Sequence, residues 1–406
     1  MLETSPIQLP NQPDELNEPL RKRASHPVDE AALLITCLRG LPIHVPEDTD
    51  WNALLSLANE NGVLLLVNQP LLNSCPEMPD YFRDAARECR IAAESLAEEL
   101  ESLLQDFAEH GIEALPFKGP ALALALYGDA TLRQSNDIDI LVRRNDFSSA
   151  EALLFLRGFT ALGAASEHDR RFVRGGLLVE LHFEIAPPRF FSFETDAIWS
   201  RSRLSDFRGH PIRAMSRNDL ALYLCAHGLK HGFSRLIWIL DTCRALQGWT
   251  PSEYQDLLRQ AQRQGLRTWL LIGCEVIRAM FPQQLPAALD AAIAASPGDL
   301  KQARRATAWL FSTDQQVVIN DYRSFYLQAE PNPLKRWCYR LRYLVPTEAD
   351  HRWARRHGIH PRLMVILRPF RLLKKYGPSR AWQILIPPKL PSFDLAHEIA
   401  PAQPTD

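Results

Sequence analysis

The sequence predicts an α/β (α+β) core built on a mixed sheet, with a helical region before it and an all-helical domain after it. Three observations predict this. Between about residues 111 and 185, apolar runs of strand length alternate with helical segments, and glycines mark the turns. Ahead of them, Leu96, Leu100, Leu103, Leu104 and Phe107 fall on one face of a single long helix. Behind them, from Asn218 to Ala308, the pattern is helical only.

In chain order, residues 1–25 are polar and rich in Pro, Asn and Glu, which predicts a disordered tail without a secretory leader. The helical region 26–110 opens with short patterns such as Trp51-Asn52-Ala53-Leu54-Leu55 and ends in a helix from about Pro79 to His110, closed by Gly111. The core, 111–215, begins with a strand over Glu113–Phe117. Lys118-Gly119-Pro120 then turns into a helix that runs through Tyr127. Asp137–Val142 is rich in β-branched residues and reads as a buried strand. Asn145 is placed to cap a helix from about Asp146 to Arg157, which Gly158 ends. Strands near 168–174 and 177–185 meet at a Gly175-Gly176 hairpin turn. The helical domain, 216–330, carries helices over Leu236–Leu246 and Leu257–Met280, punctuated by prolines at 251, 282, 286 and 297. A basic helical segment, 331–390, with helices around 350–376, leads into a Pro-rich tail, 391–406.

At 406 residues the chain is long enough for two domains and their cores. Its net charge of −2 conceals an uneven distribution: 335–380 holds thirteen Lys/Arg against Glu348 and Asp350. That basic segment (Arg352, Arg355, Arg356, Arg362, Arg368, Arg371, Lys374, Lys375) has three readings: a solvated helical face, a nucleic-acid contact, or a contact with an anionic membrane surface. The seven cysteines are scattered and form no CxxC pair, which argues against a zinc site or a disulfide framework. A reduced, cytoplasmic setting follows, peripheral to the inner membrane face if the basic segment docks there. No apolar stretch reaches the roughly 18 residues of a membrane span.

The chemistry concentrates at Asn136-Asp137-Ile138-Asp139-Ile140-Leu141-Val142. In a strand, residues two apart share a face, so the Asp137 and Asp139 carboxylates project together. Two like charges at the edge of a buried strand repel and lose hydration. A divalent cation removes that conflict, and Mg²⁺ is typically held by one or two carboxylates together with substrate phosphates. Eighteen residues earlier, Gly119 sits in a strand-to-helix turn where backbone N–H groups can approach a phosphate.

Strand, glycine turn, helix, then a strand bearing Asp-x-Asp resembles the DNA polymerase β-like nucleotidyltransferase superfamily. That superfamily draws a third carboxylate from a later strand, and the resemblance implies Glu180 within Val179-Glu180-Leu181-His182. The chain is also similar to a bacterial family of uncharacterised nucleotidyltransferases. The likeness lies in Leu115-Pro116-Phe117-Lys118-Gly119, in Leu126-Tyr127, in Leu132-Arg133, and in His227-Gly228-Leu229-Lys230-His231-Gly232 with Leu236, Trp238 and Asp241. It covers roughly residues 30–380. One departure is the phosphate turn, which reads Lys-Gly-Pro where characterised superfamily members carry Gly-Ser.

The resemblance implies Mg²⁺- or Mn²⁺-dependent transfer of a nucleoside monophosphate from an NTP, ATP among them, to an acceptor hydroxyl by two-metal in-line displacement. Asp137 and Asp139 would bridge the metals, and Glu180 would bind the catalytic ion and help deprotonate the acceptor. Lys118 and Arg133 are candidates for phosphate contacts, Arg133 through a bidentate grip. Glu184 shares the predicted strand face of Glu180 and is its alternative. His182 either touches substrate or supports a ligand carboxylate. Lys230 and His231 face the cleft from the helical domain or form a structural pair at a helix end; His227 and His231 lack the glutamate of a zinc hydrolase motif. Asp241 is expected to pair with Arg235 or Arg244. The acceptor classes are a small molecule, a sugar phosphate, a protein or an RNA end. Two alternatives stand beside transfer: a non-catalytic nucleotide-binding or assembly module, and a metal-dependent NTP hydrolase.

Overall fold

The computed structural model describes residues 28–163, 165–186, 193–295 and 348–385, together with 300, 303–304, 334, 336–337 and 346. The tails expected at 1–25 and 391–406 lie outside the described residues, as does Pro297. Three short helices, α1 (Val28–Leu38), α2 (Trp51–Glu60) and α3 (Leu64–Ser74), precede α4 (Asp80–Glu109). With thirty residues, α4 is about 45 Å long. The face that its periodicity marks, from Leu96 to Phe107, is buried.

The sheet has five strands: β1 (Ala114–Pro116), β2 (Asp137–Val142), β3 (Thr160–Ala161), β4 (Asp169–Arg174) and β5 (Leu177–His182), in the order β1-β2-β5-β4-β3. Only β2 and β5 run parallel; the other pairings are antiparallel, so the sheet is mixed as expected. Helices α5 (Gly119–Tyr127) and α6 (Phe147–Leu156) connect its first strands. Strand alternation divides the sheet chemically. Ile138, Ile140 and Val142 join Val179, Leu181 and the apolar face of α4 in one core. Asp137, Asp139, Glu180 and His182 take the other face, with Asp139 opposite Glu180 in register. Glu180 therefore lies on an interior strand, flanked by β2 and β4.

The remaining described helices are α7 (Thr195–Arg201), α8 (Arg217–Lys230), α9 (Leu236–Ala245), α10 (Pro251–Gln264), α11 (Arg267–Met280), α12 (Ala287–Ala294), α13 (Glu348–Arg356) and α14 (Met364–Leu385). A second core runs from Leu34, Leu54 and Phe82 of the first helices to Leu229, Leu240 and Trp269 of the later ones. The N-terminal helices thus share one apolar interior with the helical domain. Arg39 Nε donates to the Met280 carbonyl at 2.9 Å, tying the two ends of that interior together.

Several elements differ from the sequence expectation. The stretch Leu257–Met280 is two helices, because Gly265 adopts φ +69 and closes α10. Asp146, not Asn145, occupies the N-cap position of α6, and it makes no side-chain cap bond. β5 stops at His182, so Glu184 is off the strand; it pairs with Arg144 and accepts from Thr195. A hairpin of β6 (Arg203–Phe207) and β7 (His210–Ala214) has no forecast in the pattern. Its two-residue turn, Arg208-Gly209, has φ of +52 and +88. Such turns usually advertise themselves as Asn-Gly or Asp-Gly. In the basic segment, Arg368 and Arg371 both pair with Asp350, while Val365, Ile366 and Phe370 are exposed. Among the described residues no helix is long and apolar enough to cross a membrane.

Candidate active site

The turn between β1 and α5 and the first half of β2 are built against each other. Phe117 N donates to the Asp139 carbonyl at 3.3 Å, and the chain then turns at Lys118. Gly119 has φ +55, and a Cβ there would stand 2.8 Å from the Asp137 carbonyl oxygen. Glycine is required at this point because no side chain fits between turn and strand. The consequence is that Lys118, not Gly119, reaches the open face of the sheet.

Lys118 Nζ lies 2.6 Å from Asp139 Oδ1, and His182 Nε2 lies 3.0 Å from the same oxygen. His182 Nε2 is also 3.6 Å from Glu180 Oε2. The Ser135 hydroxyl donates to Asp137, with Oδ1 and the carbonyl oxygen both 3.1 Å away. Burial pushes Asp137 up to about 6, aided by the charge of Asp139. Asp139 is more deeply buried, but the Lys118 ammonium and the His182 hydrogen bond outweigh burial and hold it well below the usual carboxylate range. For His182, burial opposes the charged ring, yet its bonds to Asp139 and Glu180 hold it above its ordinary value.

These groups form the floor of a cavity of about 610 Å³. Asp137, Glu180 and His182 line it beside Lys118, while Asp139 lies fully buried just beneath. Arg133, Lys230 and Arg235 add positive charge to the walls, and Tyr223, His227 and Trp238 add rings. Arg133 and Asp241 form a buried pair, Nε to Oδ2 at 2.9 Å, and Tyr127 donates to the second oxygen of Asp241 at 2.8 Å. The partner of Asp241 is therefore Arg133, neither Arg235 nor Arg244; Arg244 stacks over the Tyr127 ring instead.

The donor set suits a divalent cation. One ligand atom each from Asp139, Glu180 and His182 lie within 4.8 Å of one another. Asp139 Oδ2 and His182 Nδ1 are buried with no hydrogen-bond partner among the described residues, a costly state for a carboxylate oxygen unless a cation completes it. Lys118 supplies the charge that this cluster otherwise lacks.

Residues 47–282, more than half of the chain, match the family described as uncharacterised nucleotidyltransferases. The chain belongs to that family. Among solved structures, this nucleotidyltransferase is similar to the antibiotic-resistance factor ANT(2'')-Ia, at 15% identity over 42% of this chain and 92% of that one, with a TM-score of 0.34. It is also similar to an antigenic nucleotidyltransferase-like protein from Paracoccidioides brasiliensis, at 16% identity over 52% of this chain and 93% of that one, with a TM-score of 0.27. No curated protein matches it.

Within this nucleotidyltransferase, the residues singled out from sequence converge on one cavity. Lys118, Arg133, Asp137, Glu180, His182, Lys230 and His231 line it; Gly119 and Asp139 sit directly behind its floor. The compact cluster is Asp139, Glu180 and His182, with Asp137 outside it. Sequence reasoning passed over Ser135, Tyr223 and the ring of Trp238. Tyr223, His227 and His231 are spaced by four along α8 and its end, a helical-face signal that could have found Tyr223. Ser135 restores a hydroxyl near the turn that the Lys-Gly-Pro sequence lacks.

Proposed function

We propose that this protein transfers a nucleoside monophosphate from an NTP to an acceptor hydroxyl, with Asp137, Asp139 and Glu180 as the carboxylates of a Mg²⁺ or Mn²⁺ site. The observation that carries this reading is the open carboxylate–imidazole cluster at the foot of a cation-lined cavity. When bound, divalent metal would neutralise phosphate charge and lower the pKa of the attacking hydroxyl.

The chain's own residues do the rest. Lys118, Arg133 and Lys230 bring positive charge to the cavity that would hold a triphosphate, Lys118 and Arg133 while also paired with Asp139 and Asp241. Such charge neutralisation and positioning supply most of the catalysis in phosphoryl and nucleotidyl transfer. Glu180, whose side chain keeps 21% exposure in the cavity, accepts the proton of the acceptor hydroxyl. The acceptor oxygen forms a bond to the α-phosphorus while the bond to pyrophosphate breaks. His182 holds Asp139 in place through Nε2, which also lies 3.6 Å from Glu180 Oε2. The acceptor is a small molecule, a sugar phosphate, a protein or an RNA end. The free cysteines among the described residues, four of them buried, fit a cytoplasmic setting. We read 111–215 as the catalytic unit, and 216–330 as the unit that supplies the opposite cavity wall.

One observation favours a second reading, a non-catalytic nucleotide-binding module: the Lys118 ammonium already balances Asp139. Incubation with Mg²⁺ or Mn²⁺ and each labelled NTP, with and without cell extract, separates the readings. Pyrophosphate release that requires an extract component and is lost in Asp137→Ala and Asp139→Ala supports transfer. Release without extract identifies a hydrolase. Nucleotide binding without release identifies the binding module.

A further inference from the structure

One wall of the cavity carries a row of flat rings. Tyr223 and His227 stack at 5.9 Å, His227 and His231 lie 4.8 Å apart, and Trp238 is 4.9 Å from His231 and 5.6 Å from His227. The Arg235 guanidinium approaches the Trp238 ring at 5.8 Å. The row begins beside the acidic floor, because Phe117 contacts both His182 at 5.0 Å and Tyr223 at 5.4 Å. From Tyr223 it climbs two turns of α8, about 12 Å from Tyr223 to His231.

The local fold holds this wall in place. Phe233 folds back onto Gly228, where any Cβ would meet its ring at 2.2 Å, and this closes the turn from α8 into α9. The end of α2 locks the same turn: Asn61 accepts from Leu236 N and Ile237 N, and the Glu60 carbonyl accepts from Arg235 Nε at 2.8 Å.

The rings are fixed but their polar atoms are idle. Among the described residues, neither the His227 and His231 imidazoles nor the Trp238 indole N–H has a hydrogen-bond partner. Burial and the nearby lysines hold both imidazoles in the neutral form, His231 at about 3. A neutral ring wall is a poor place for phosphate, which the lysines and Arg133 near the floor attract. It suits a flat heterocycle, which stacks on aromatic rings or guanidinium planes and hydrogen-bonds through its edge.

Resting on the nucleotide reading above, we propose that His227, His231 and Trp238, with the Arg235 guanidinium, form the nucleobase subsite of this nucleotidyltransferase. The base seats on the ring wall at the turn between α8 and α9, and the triphosphate runs down the row toward Lys118 and the acidic floor. The ribose lies between them, beside Tyr223.

The test compares two probes in Mg²⁺ by calorimetry: α,β-methylene NTP analogues of each base, and inorganic tripolyphosphate, which has no base. The wild type should bind the analogues more tightly than tripolyphosphate. Trp238→Ala and His231→Ala should each weaken the analogues about tenfold, the scale of one lost base–aromatic stack, and leave tripolyphosphate unchanged. Trp238→Phe keeps a ring and should retain most of the affinity. Unchanged tripolyphosphate binding also certifies that each variant is folded. Equal loss for both probes, or no loss for either, overturns the subsite while leaving nucleotide binding intact. A wild type that binds tripolyphosphate but prefers no analogue over it overturns the subsite as well. A wild type that binds neither probe overturns the transfer reading itself.

Discussion

Replacing Lys118 with methionine removes the cation that balances Asp139 while keeping the length of the side chain. Nζ and Oδ1 are 2.6 Å apart, with side-chain exposures of 16% and 0%. At an effective dielectric of about 20, unit charges at that distance attract by roughly 6 kcal/mol. Desolvation of both groups offsets part of this, and removing one partner of a buried pair typically costs about 3–5 kcal/mol. His182 still contacts Asp139 at 3.0 Å, so the lower end, about 3 kcal/mol, is expected. Urea unfolding followed by circular dichroism, in EDTA at neutral pH, measures it. The same titration with Mn²⁺ should then stabilise Lys118→Met more than wild type, because the metal no longer competes with a tethered ammonium. A variant as stable as wild type in EDTA would refute the charge argument. Equal stabilisation of both proteins by Mn²⁺ would show that ammonium and metal do not share a place.

Four further outcomes are expected. Asp241→Leu strands the Arg133 guanidinium in the interior and should cost about 3–5 kcal/mol, whereas Arg133→Met combined with Asp241→Leu should recover much of it in a double-mutant cycle by urea unfolding. Gly119→Ala should lower both thermal stability and tripolyphosphate affinity, since its Cβ drives the turn off the Asp137 carbonyl; normal values for both would remove the turn from the site. Asp137, pushed up to about 6, loses its charge below that pH, so Mn²⁺ affinity followed by electron paramagnetic resonance should fall as pH drops through about 6, and Asp137→Asn should abolish that step. His231 titrates at about 3 when folded and near 6.5 when unfolded, so the unfolded chain binds the extra proton. Its contribution to stability is complete above about pH 6.5 and is lost as pH falls toward 3; His231→Gln should flatten the urea midpoint across that window.

The parts of the site that sequence reveals are those set by local periodicity. The bounds of β2 follow from an apolar run that begins at Asp137, and alternation alone puts Glu180 on the same face as His182. The long helix α4 declares itself through the one-sided apolar spacing of Leu96, Leu100, Leu103, Leu104 and Phe107. What stays hidden is set by contacts between distant segments. Nothing near Arg133 announces Asp241, 108 residues away, and nothing near Asp241 favours Arg133 over the closer Arg235 and Arg244. The ion pair of Lys118 with Asp139 likewise depends on a turn folding back across β2, so a lysine expected to meet phosphate is found holding a carboxylate. Glu184 misled because its apolar neighbours continue the alternation beyond His182, although the hydrogen-bonded strand ends there. The β6–β7 hairpin escaped because four of the five residues of β6 are exposed, leaving no two-sided pattern to read.

The bond from Arg39 to the Met280 carbonyl spans 241 residues, and the helices around it share one core. A ribosome adding about 5–20 residues per second needs roughly 12–48 s to cover that separation. During that interval Leu34, Leu54 and their neighbours have been made, but the helices that cover them have not. The core between the sheet and α4 draws on an earlier stretch, closed by Phe207 and Ile212 of the β6–β7 hairpin. Synthesis therefore has an order built into it: the acidic floor is laid down first, and the ring-lined wall becomes rigid only when α8–α11 return to α1–α3. A chain halted before α11 would hold its carboxylates in register and still present a sticky, half-covered surface to the chaperones.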